Sequence, residues 1–243
     1  MPRKPAWLKM PFLEALEYFQ KKVALPADNV SALQAEYHDF AFVVSGLTRA
    51  DLLQDMKILV ERAIAEGTDL EDFKRGFDRA IGRRGWQPKE DKDKRLYTIL
   101  DTNVRRAYAA GRYQQATQPA ILENRPYWIW KHRDSVVPRP NHLALDNKAI
   151  PADHPFWKVA VPSCAFGCRC TFFTANERLL EKMGAEILKN PPDPNEVAEK
   201  GFRRAPGTTP IEQRKDVLKT GMERQSPEMR KQIRKELKKK GVL

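Results

Sequence analysis

Apolar residues recur at helical spacing through most of the first half of the chain. From Phe12 to Lys22, positions Phe12, Leu13, Leu16 and Phe19 share one face, and Pro26 stops the run. After the apolar patch DFAFVVSG, a second stripe runs through Leu52, Leu53, Met56, Leu59, Val60 and Ala63. Thr48 with Asp51 three residues on predicts its start, and Gly67 its end. Thr68 with Glu71 repeats the device ahead of Leu70, Phe73, Phe77 and Ile81, with Gly82 and Gly85 as breakers. A DNA-reading helix pair would use Lys74, Arg75 and Arg79, but an ordinary helical hairpin with solvated basic residues is the expectation.

Residues 88 to 94, PKEDKDK, predict a charged hinge, followed by the longest helix, on which Leu96, Ile99, Leu100, Val104, Ala107 and Tyr108 form one stripe. Its small residues Ala107, Ala109, Ala110 and Gly111 invite close packing of another element, and Arg105, Arg106 and Arg112 are expected to be solvated or paired with acids. Beyond Pro119 the pattern becomes short, aromatic and β-branched. PYWIWKH predicts a strand buried on both faces or in an interface, and CRCTFFT, Cys168 to Thr174, predicts another. After the loop NPPDPN, Ser226, Pro227 and Glu228 start a last helix that runs into KELKKK and ends at Gly241. The expected fold class is therefore α+β. It divides into a helical N-terminal region over 1–90, a small mixed module with short strands over 91–190, and a linker with a basic helical tail over 191–243.

Composition changes this picture in one respect. The chain's 243 residues are 41% hydrophobic, enough for one or two cores, but 44 Lys and Arg against 32 Asp and Glu leave a net charge of +12. Residues 201–243 hold 13 of those cations against 5 acids, so the excess is concentrated at one end. The arrangement favours polyanions or acidic protein surfaces, with Arg230, Lys231, Arg234, Lys235, Lys238, Lys239 and Lys240 as the contact residues. The densest apolar run, Phe40 to Val44, is far too short to cross a bilayer, and the start carries no apolar core of a signal peptide. Synthesis in the cytosol and no membrane partner are expected; three closely spaced cysteines do not make a secreted disulfide framework.

Candidate chemistry is confined to Pro138–Cys170, where two of the four histidines and all three cysteines fall. Three readings compete. Cys164, Cys168, Cys170 and either His142 or His154 would suffice for a zinc ion, although two separated C-x₂₋₄-C pairs are absent. A nuclease would use His142 as base, with Asp146, Asn147, Asp153 and His154 orienting a cation or substrate. The third reading, cysteines packed beneath a sheet in a structural segment, with no cofactor, is preferred. Asn147 suits a left-handed turn position. No Walker loop or nucleophile elbow is present.

The ordered features HRDSVVPRPNHLALDN, DHPFWK, GCRC and KGFRRAPG resemble the phage Mu F-like family of head morphogenesis, or minor head, proteins. The matching positions are Asp134, Arg139, Pro140, His142, Leu145, Asp146, Pro155, Trp157, Cys168, Arg169 and Cys170, with Asn147 where glycine is usual and Cys164 as an extra. The resemblance implies a non-enzymatic virion component made in the host cytoplasm, partnered by portal, major capsid or scaffold protein and by packaged DNA. Within it, Asp134, Arg139, His142, Asp146, Trp157 and Arg169 are expected to hold loops by hydrogen bonds and packing.

Overall fold

In the computed structural model, residues 12–25, 35–47, 49–82, 91–133, 135, 137–223 and 227–239 are described. Pro26, Thr48, Gly85, Asp134, Ser226, Lys240 and Gly241 lie outside them. The elements run α1 (Leu13–Gln20), β1 (Val23–Ala24), α2 (Ala35–Phe40), β2 (Ala41–Phe42), α3 (Ala50–Glu66), α4 (Leu70–Gly82), α5 (Lys92–Ala116) and α6 (Pro119–Asn124). Then follow β3 (Tyr127–Lys131), α7 (Pro140–Leu143), β4 (Lys148–Pro151), α8 (Phe156–Val159), β5 (Thr171–Ala175), α9 (Glu177–Met183), β6 (Glu186–Ile187), α10 (Pro194–Val197), a 3₁₀ turn (Lys200–Phe202), α11 (Ile211–Glu223) and α12 (Pro227–Lys239). The protein is α+β, and no helix of the described residues is long and apolar enough to cross a membrane.

The apolar stripes become cores. Leu52, Leu53, Met56 and Val60 of α3 pack with Phe73 and Phe77 of α4, Ala15 and Phe19 of α1, and Leu96 and Ile99 of α5. Each such fully buried side chain contributes about 1.5–3 kcal/mol. Gly67 ends α3 at φ 65, a left-handed cap that costs glycine nothing. The next helix starts one residue later than the Thr68 signal suggests, because Asp69 Oδ1 accepts the Asp72 amide at 2.8 Å. Likewise the expected hinge ends at Asp91, which accepts the Lys94 amide at 2.9 Å and turns residues 92–94 into the first turn of α5.

The helix α5 serves both halves of the molecule, its first turns lying in the N-terminal core and Ala116 in the core of the four-stranded sheet. That sheet has the order β5-β3-β4-β6, with β3 antiparallel to β4 and β5 and β4 parallel to β6. Trp128, Ile129 and Trp130 are all buried, so β3 is covered on both faces. Asn147, at φ 59, takes the left-handed position ahead of β4 and donates from Nδ2 to the carbonyls of Met183 and Gly184.

Two expectations are corrected. Arg106 is not solvated: it is buried, with its guanidinium donating to the Ser163 carbonyl at 3.0 Å and the Arg204 carbonyl at 2.6 Å. Nor is the basic C-terminal segment a free tail. Leu218 of α11 with Ile233 and Leu237 of α12 pack on Phe40 of α2 and on Val23, Leu25 and Ala41 in and beside the small β1-β2 unit, because α12 has apolar residues at i and i+4. Buried Asp39 fastens the connecting loop, accepting the amides of Gly207 at 2.6 Å and Thr209 at 3.0 Å and the Tyr18 hydroxyl at 3.1 Å.

Candidate metal centre

Three segments far apart in sequence converge at one end of the sheet. The first is β3, whose pairing with β5 sets Lys131 opposite Thr171. One step beyond, that antiparallel register sets His132 against Cys170, and His132 Nδ1 lies 3.4 Å from Cys170 Sγ. Asp146 holds this end: its Oδ1 accepts the His132 amide at 2.8 Å, and Lys131 Nζ lies 3.0 Å from the same oxygen.

The second segment is α7, a single turn begun by Pro140, whose fixed φ suits a first helical position. It turns His142 inward, 2% exposed, with the ring edge-on to Trp130 at 5.4 Å. The preceding Arg139 is bound to the Glu199 carboxylate at 2.7 Å and the Phe166 carbonyl at 2.8 Å, tying α7 to the third segment.

That third segment carries the cysteines. The expected strand over Cys168–Thr174 begins only at Thr171, because the chain turns at Gly167 (φ 64) and Ser163 Oγ donates to the Cys168 carbonyl at 2.9 Å. All three thiols are free and buried. Cys168 Sγ lies 3.5 Å and Cys170 Sγ 3.6 Å from His142 Nδ1, whereas Cys164 Sγ lies 4.0 Å from the other ring nitrogen. His142 Nε2 is 2.9 Å from the Val197 carbonyl, which can only accept, so Nε2 carries the proton and Nδ1 faces the sulfurs.

The electrostatics favour charge separation. Hydrogen bonds from Cys164 and Cys170 hold the Cys168 thiol well below its ordinary range against the opposing effect of burial, with His142 assisting. Burial would depress His142, but Cys168 and the Val197 carbonyl outweigh it and leave its pKa raised. The bond to Cys168 and burial push Cys164 and Cys170 up. Cys168 is 2% exposed, which leaves its sulfur no open approach for a substrate.

Of the residues singled out from sequence, His142, Cys164, Cys168 and Cys170 are brought together, and Asp146 and Arg139 brace them. Trp157 is buried in the adjacent core, its Nε1 donating to the Pro151 carbonyl at 3.1 Å. Arg169 points the other way, its guanidinium donating to the Tyr97 hydroxyl at 2.5 Å. Of the set considered for nuclease chemistry, His154 Nδ1 accepts the Phe156 amide at 3.1 Å, and Asp146 is engaged by residues 131 and 132. His132 was missed. The signal that finds it is register, since a histidine one residue past a strand meets the residue one before its antiparallel partner. The cations Arg230, Lys231, Arg234, Lys235 and Lys238 lie apart from this centre on the exposed side of α12; of Lys239 only the backbone is described.

The Phage Mu protein F like protein family matches residues 54–173, a span that contains α5, β3, α7 and every residue of the cluster. Two relatives align more widely. The proposed capsid assembly protein F of Escherichia phage Mu is 31% identical over 193 residues, 74% of this chain and 44% of that protein. The Mu-like prophage FluMu F protein of Haemophilus influenzae is 32% identical over 160 residues, 62% of this chain and 38% of that protein. The chain thus spans less than half the length of either relative. No solved structure matches it. By the family match and these two alignments, the chain belongs to the Phage Mu protein F like family.

Proposed function

We propose that the protein is a structural component of phage head assembly, acting at the portal or the head interior and retained in the virion. In that setting the basic face of α12 meets packaged DNA or an acidic protein surface. The family membership supports the assembly role, and a single observation carries the contact. Ile233 and Leu237 anchor α12 to the body of the protein, which leaves Lys231, Arg234, Lys235 and Lys238 exposed together on the faces turned away from that anchor, while Arg230, exposed at the first turn, donates to the Glu223 carbonyl. A rigidly docked row of cations attracts phosphates irrespective of sequence, with an affinity that falls steeply as salt displaces it.

The test is a salt titration of DNA binding by the wild type and by a variant carrying Arg234→Glu, Lys235→Glu and Lys238→Glu, all exposed positions. The wild type should show a linear fall of log affinity with log salt, and the variant a slope smaller by about 3. Equal slopes would remove α12 from the interface. An acidic portal or scaffold surface in place of DNA would leave the wild type without DNA affinity at physiological salt while retaining its salt-sensitive association with heads.

A further inference from the structure

We infer that the chain binds one zinc ion through His132 Nδ1, His142 Nδ1, Cys168 Sγ and Cys170 Sγ, forming a structural centre that ties the adjoining ends of β3 and β5 to α7. This inference stands independently of the proposed role in head assembly.

The geometry of the ligand atoms carries it. A tetrahedral zinc with Zn–S near 2.3 Å and Zn–N near 2.05 Å has S···N edges of about 3.6 Å. The three sulfur–nitrogen separations that link the four residues are 3.4, 3.5 and 3.6 Å. The ligand atoms of His142, Cys168 and Cys170 all lie within 4.8 Å of one another; His132 stands just outside that group, against Cys170, and its ring has to close inward to complete the set.

The surroundings fit as well. The Val197 carbonyl fixes the His142 tautomer that presents a lone pair at Nδ1, the arrangement metal-bound histidines ordinarily have. The Trp130 Nε1–H is buried and meets no oxygen or nitrogen acceptor among the described residues; it faces Cys170, where a thiolate would accept from it. Asp146 fixes the His132 backbone. Two thiolates and two imidazoles form a soft, closed set of the kind that selects zinc and leaves no position for catalysis.

Cys164 is the competing fourth ligand, and position decides against it. It touches the Nε2 side of the imidazole, the nitrogen already committed to Val197.

The test uses the full chain purified under reducing conditions, with metal analysis followed by titration of the stripped protein with cobalt(II). The expected result is about one zinc per chain and a tetrahedral cobalt spectrum whose charge-transfer intensity corresponds to two thiolates. Cys164→Ser should keep both, and His132→Asn, at a half-buried position, should lose most of the metal while keeping its circular dichroism. Should His132→Asn fail to fold, the thiolate count of the wild-type spectrum still decides. No uptake of either metal, a disulfide among the three thiols, a three-thiolate spectrum, or loss of metal on Cys164→Ser with retention on His132→Asn overturns the assignment.

Discussion

Arg106 of α5 donates a hydrogen bond to the carbonyl of Ser163, 57 positions further along the chain, at 3.0 Å. Ser163 in turn donates to the Cys168 carbonyl, and the second arm of Arg106 reaches the carbonyl of Arg204. One buried guanidinium therefore couples the long helix, the cysteine turn and the approach to the C-terminal helices. Hydrogen bonds to charged groups contribute about 1.5–3 kcal/mol each, and carbonyls left bare in a core add their own desolvation cost. Arg106→Met should destabilise the protein by about 3 kcal/mol in urea unfolding, with the four-stranded sheet affected alongside α5. A change below about 1 kcal/mol would show that water satisfies both carbonyls.

The contact of α1 with α5 sets a steric limit at Gly111. A Cβ there would come within 2.8 Å of the Ala15 amide nitrogen and 2.9 Å of the Phe12 ring. Alanine favours a helix over glycine by about 1 kcal/mol, whereas overpacking costs about 1–3 kcal/mol, and backbone cannot swing aside as a side-chain tip can. Gly111→Ala should lower the unfolding midpoint despite its better propensity. A raised midpoint would mean that α1 sits more loosely on α5 than the structure has it.

Lys22 gives the protein a pH dependence of calculable sign. Burial pushes its ammonium from 10.5 down to about 7, with Asp39 opposing. Its Nζ donates to the His38 carbonyl and lies over the Tyr18 ring. Between about pH 7 and 10.5 the unfolded chain then holds more protons at this site than the folded one, so this group's contribution to stability increases as pH rises across that window. Below pH 7 the penalty of a buried charge is present in full, on the order of a few kcal/mol. Lys22→Met should therefore gain stability relative to the wild type at pH 6, and that advantage should shrink steadily to pH 10. A difference constant with pH would place the Lys22 pKa at its ordinary value.

His142→Ala should destabilise the sheet module by about 1–3 kcal/mol, because it strands the Val197 carbonyl and opens a void beside Trp130. The denaturant midpoint, measured with chelator present so that no bound ion contributes, checks this figure. An unchanged midpoint would mean that the imidazole is idle in the apoprotein.

Removal of residues 208–243 should do more than strip charge. It uncovers Val23, Leu25, Phe40 and Ala41 and takes the Thr209 amide from Asp39. The truncated chain should unfold earlier or aggregate; a monomer of unchanged melting temperature would return the C-terminal helices to the status of a tail.

The sequence made much of this legible where local pattern and tertiary need coincide. The stripe of α3 with Gly67 behind it, the aromatic run Trp128–Ile129–Trp130 and the left-handed Asn147 each declare their element through residues a few positions apart. What stayed hidden depends on long separations. His132 becomes a neighbour of Cys170 only through strand register, and Arg106 looks like any surface arginine until carbonyls nearly 60 and 100 positions away close over it. The C-terminal helices reveal their docked face only through Ile233 and Leu237, two apolar positions among many cations. Their charge was plain from composition, and what they rest on was not.

The proposed place in head assembly is tested on heads themselves. Procapsids from a Mu-like phage carrying a tagged version of this chain would be purified by sedimentation, and compared with particles made when the chain is omitted. The tagged chain should sediment with procapsids in few copies and resist removal at low salt, and its omission should leave aberrant or unfilled heads. Procapsids that lack the chain, and form and fill normally without it, would contradict the claim.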